Sequence, residues 1–203
     1  MDNFASATSQ HVFPRASINS ARIPAPAAPV IEPHTSTLTA LWKMYAAEPV
    51  QLRRSREGRT LSRARIHRAE GFMPSCDRDA PGDFSSFLYF AGITAQLALS
   101  SHLLDVGFPD DWCARHVGLH VSRSLAYANA TGFGFECGNT ARLAQVLCPY
   151  WKWNPSGLAE NPEPDDGGFQ AEEVVTLLRG VIDHVYLVAG HRRSNRRSRV
   201  DAS

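Results

Sequence analysis

Cys113, His116 and His120 follow one another at intervals of three and four in DDWCARHVGLH, residues 110–120. On an α-helix that spacing lays side chains along one narrow arc, and thiolate and imidazole are donors that tetrahedral zinc accepts. The short turn at 107–109, with its glycine and proline, predicts an antiparallel partner helix that sets His102 at nearly the same height. His102, Cys113, His116 and His120 are therefore the candidate ligand set, with zinc as the alternative cofactor. Core packing explains the same residues more simply. Val117 shares the arc, Val121 and Ala128 border it, and Ser124 lies one turn on from His120 as a hydrogen-bond partner. A buried free Cys behaves as a small hydrophobe, and C-x-x-H-x-x-x-H on a single helix is not a specific metal signature. Packing without a cofactor is the preferred reading, and Cys137 and Cys148 are left outside the site.

Arginine supplies the second candidate chemistry. The run LRRSREGRTLSRARIHR, residues 52–68, holds Arg53, Arg54, Arg56, Arg59, Arg63, Arg65 and Arg68 against one acid, Glu57. The tail adds Arg192, Arg193, Arg196 and Arg197. Either block can contact phosphates, with affinity that falls as salt rises. A charge run is more often a solvated segment or a docking site for a protein partner, and the six acids of residues 160–173 offer intramolecular neutralisation. The formal net charge of +1 argues against a strongly polyanionic partner for the chain as a whole, but not for these blocks. Trp42, Trp151 and Trp153 are expected to anchor flanking segments rather than stack on bases.

Other chemistries find no purchase. The glycines of TGFGFECGNT follow a helical pattern rather than a strand, and no Lys-Ser/Thr completes a phosphate loop. There is no Glu-x-x-His pair, no C-x-x-C-H sequence and no serine nucleophile elbow, so no enzyme class is indicated. Four cysteines without a C-x-x-C pair fit reduced thiols and a cytoplasmic location.

The elements that must position these residues are helical. Residues 1–34, rich in Ser, Ala and Pro, predict a disordered or extended leader. A short docking helix is expected over 36–47, and an arginine-rich connector completes residues 35–82. Residues 83–106 carry two apolar stripes and belong in the middle of the core; their Ser, Thr, Gln and His content argues against a membrane span. One helix is expected over 110–130, a shorter one over 139–148, and an amphipathic helix over 169–189 with Glu172 and Glu173 at its start and Gly190 at its end. The fold expected is all-α: a compact bundle of about four helices at 83–190 with basic flanks, the last being the tail at 191–203. The function expected is that of a non-enzymatic accessory or interaction module, associated with DNA or RNA through its arginines; the alternative is a metal-binding or thiol-redox bundle.

Overall fold

The regular structure comprises α1 (Thr35–Met44), α2 (Arg56–Gly71), α3 (Phe84–Val106), α4 (Asp110–His116), α5 (Val121–Ala130), α6 (Gly138–Val146), a 3-10 turn (Tyr150–Trp153), α7 (Pro155–Glu160) and α8 (Ala171–Ala189). The computed structural model describes residues 35–75 and 84–193, and no strand occurs among them. The leader expected over 1–34, residues 76–83 and the tail from 194 onward, Arg196 and Arg197 included, lie outside the described residues. The all-α class holds. The count of about four helices for 83–190 does not: six lie in that span, and eight occur among the described residues as a whole. Residues 110–130 divide into two helices, the loop after Pro149 carries α7, and the arginine-rich stretch folds as α2.

α3 organises the rest, packing against α2, α5, α8 and the 3-10 turn. Its faces explain that position: Leu88, Leu99, Leu103 and Leu104 are buried on it together with the small residues Ala91, Gly92, Ala95 and Ala98. Small side chains let neighbours approach closely. A Cβ at Gly92 would lie 2.1 Å from the Cβ of Tyr150, so the 3-10 turn rests directly on the α3 backbone. By length and composition α3 is apolar enough to cross a membrane, and 67% of its most apolar window is buried within the protein.

α2 opens on Ser55, whose hydroxyl accepts from the Gly58 amide at 2.9 Å, a cap worth about 1 kcal/mol. Only Ser62, Ile66 and Ala69 are buried along it. That narrow face suffices because it docks closely: a Cβ at Gly58 would meet the Leu104 carbonyl oxygen at 2.9 Å. Polar contacts complete the seam. Ser101 Oγ donates to the Ser62 carbonyl at 2.8 Å, and Ser62 Oγ lies 3.0 Å from Ser101 Oγ and 2.7 Å from His191 Nε2. The root of the basic tail is thereby fastened to α2 and α3. The segment expected to be a connector is a helix held against the core.

Candidate functional site

α2 turns its remaining sides outward, and its arginines separate into two kinds. Arg54 pairs with Asp105 at 3.4 Å and Arg65 with Asp110 at 2.7 Å, while Arg53 donates to the Gln51 side chain. Arg56, Arg59, Arg63 and Arg68 have no carboxylate partner among the described residues, nor does Arg192. At 100° per residue Arg56, Arg59 and Arg63 fall on one face, and the seven-residue interval spans about 10 Å along the axis. Arg68 points away from them, and Arg193 is engaged by Asp183 and Glu70 with its guanidinium over the Tyr186 ring. Of the arginines singled out in the sequence, Arg56, Arg59 and Arg63 thus share one face of α2 without carboxylate partners among the described residues, and Arg192 is exposed beyond α8. The charges of Arg54 and Arg65 are met by the buried Asp105 and by Asp110 at the start of α4.

Beside this face lies a groove of about 440 Å³, lined by Arg54, Arg56, Arg59, Asp105 and the last turn of α8. The positive end of α2 opens into it, partly offset by the negative end of α8. His191, next to Gly190, is held below the ordinary histidine value by burial; Asp105 opposes this, and the charges of Arg63, Arg59 and His67 add to it.

The cysteine and histidines expected on one helical face are not on one helix. α4 stops at His116, and Gly118, at φ +56°, turns the chain before α5 begins after His120. The Gly118 amide donates back to the Cys113 carbonyl at 2.9 Å, and Arg123 closes the α4 end on the His116 carbonyl at 2.6 Å. The four residues then part. Cys113 is buried beside a groove of about 470 Å³ lined by Arg65, Ser100 and Asp110, and burial, aided by Asp110, pushes its thiol up to about 12. His116 packs on Trp112 with ring centroids 4.9 Å apart. His102 lies against Phe133 with its Nε2 3.3 Å from Thr131 Oγ1, and burial drives it down to about 4. Among the described residues no group of three or more His, Cys, Asp or Glu side chains is arranged to hold a metal ion.

His120 meets a residue that sequence spacing did not connect to it. Its Nδ1 lies 3.6 Å from Cys148 Sγ, to which Ser122 Oγ also donates at 3.0 Å. Twenty-eight positions separate the two, and no short-range periodicity joins them. Of the tryptophans, Trp153 is buried and donates to the Val146 carbonyl at 3.1 Å, Trp42 packs partly buried against the core, and Trp151 is exposed. The chain matches no family model, no curated protein and no solved structure.

Proposed function

We propose that this protein is a non-enzymatic nucleic-acid-associated module that holds the phosphate backbone on the outward face of α2 without reading base sequence. The observation that carries the proposal is the stripe of Arg56, Arg59 and Arg63, spaced by three and four on a docked helix and lacking carboxylate partners among the described residues. Duplex DNA presents one negative charge per roughly 1.7 Å of axis, so the stripe, about 10 Å long, faces about six phosphate charges. The exposed Arg192, next in the chain to His191, is taken as the fourth contact, and arginines that meet only phosphates position a duplex without specifying its sequence. A bundle-like arrangement of the helices around α3 and a cytoplasmic location with reduced thiols belong to the same proposal.

The test is fluorescence anisotropy with labelled random-sequence DNA and RNA across rising salt. The expected result is binding at about 50 mM salt that weakens with a slope of log affinity on log salt near −3.6 for duplex DNA, for roughly four phosphate contacts. Absence of binding at low salt would overturn the proposal.

A further inference from the structure

Cys148 sits between a base and a hydroxyl donor at the start of α5. His120 immediately precedes that helix and Ser122 is in its first turn; their side chains reach the sulfur at 3.6 and 3.0 Å. No side chain caps α5, so the partial positive charge of its first amides is not taken up by a capping residue. Lys152 follows four residues on in the 3-10 turn, its ammonium over the Trp153 ring. Cys148 is only partly buried, whereas Cys113 is buried. Hydrogen bonds to sulfur, an adjacent imidazole, a nearby cation and solvent access are the surroundings that distinguish reactive cysteines from structural ones. Burial, and then the guanidinium of Arg123, holds the His120 imidazole below its ordinary value.

We propose that Cys148 is a nucleophilic thiol, deprotonated by His120 and oxidised by hydroperoxides to a sulfenic acid. His120 Nδ1 takes the proton from sulfur, and the sulfur lone pair attacks the outer oxygen of the peroxide as its O–O bond breaks. The departing hydroxide or alkoxide takes the proton from the imidazolium and leaves as water or alcohol. Sulfur is oxidised by two electrons and the peroxide is reduced by two. Ser122 Oγ donates to the sulfur and holds it beside the His120 ring. The inference is independent of nucleic-acid binding: it uses residues of α5 and of the turn after α6, none of which is in the arginine stripe.

Two measurements on the full chain test it. In the first, iodoacetamide alkylation is followed site by site by mass spectrometry at neutral pH, with Cys137 as the internal reference. His120→Gln is expected to slow Cys148 at least about tenfold, as expected for loss of a proton acceptor, with Ser122→Ala slowing it less and Cys137 unaffected in either variant. In the second, the wild-type protein is treated with hydrogen peroxide and trapped with dimedone, and the expected adduct is on Cys148 and not on Cys113. An unchanged Cys148 rate in both variants, with wild-type circular dichroism, would overturn the role of His120 and Ser122. Absence of a dimedone adduct at Cys148 would overturn the proposal whether or not the variants fold.

Discussion

Replacing Arg56, Arg59 and Arg63 together by Ala removes the stripe while leaving the buried face of α2, Ser62, Ile66 and Ala69, in place. The three side chains are exposed and Ala is the better helix former, so the helix signal in circular dichroism should not fall. Each arginine withdrawn from a phosphate lowers the salt slope by about 0.9, so the triple variant should reduce it by about 2.7. At about 0.1 M salt that amounts to about 2.7 decades of affinity, roughly 500-fold or about 4 kcal/mol. The assay is again anisotropy with random duplex DNA, run from about 50 to 200 mM salt. A charge-matched control, Arg115, Arg142 and Arg179 replaced by Ala, lowers the formal net charge from +1 by the same amount on α4, α6 and α8. It should keep most of the wild-type slope, because bound arginines and not overall charge release the counterions. Equal reductions in the two variants would refute the reasoning, as would an unchanged slope in the first.

Two further outcomes follow from the core. His102 is 3% exposed and driven from 6.5 down to about 4, so the unfolded chain takes up a proton that the folded one refuses as pH falls between those values. Its contribution is complete above about pH 6.5 and should decline by about 3 kcal/mol on descending to pH 4, a slope in urea midpoints that His102→Gln should flatten relative to wild type. Gly92→Ala gains helix propensity but drives a Cβ to 2.1 Å from that of Tyr150, so a net loss of about 1–3 kcal/mol is expected in chemical denaturation. A variant as stable as wild type would show that the 3-10 turn does not rest on α3 as described.

The sequence was most legible where local and tertiary preferences agree. In α8, Glu172 and Glu173 at the start, the apolar stripe through Val174, Leu178, Val181 and Val185, and Gly190 at φ +63° all point to one helix, and it spans Ala171–Ala189. α2 was harder to read because hydropathy weighs apolar bulk. Its docking depends instead on Gly58, Ser62 and Ala69, small residues whose value is close approach, beside the single large apolar side chain of Ile66. In the candidate metal face the misreading turned on Gly118. A glycine inside a helical pattern is tolerated, and only its left-handed φ shows that it ends α4. The pairing of His120 with Cys148 depends on how α5 meets the turn after α6, which no short-range pattern encodes.

The apolar character of α3 has a consequence for the order in which the chain is made. α2 precedes it and can cover one side as soon as both have left the ribosome, but α8 lies about 65 residues downstream and emerges roughly 3–13 s later at ordinary synthesis rates. During that interval a 23-residue helix of membrane-spanning length shows chaperones and lipid the face that α8 will later bury. A chain stopped just before Ala171 should therefore partition into aggregates or membranes when lysates are fractionated, and the full chain should not. Recovery of the shortened chain as a soluble monomer would mean that the remaining helices shield α3 without α8.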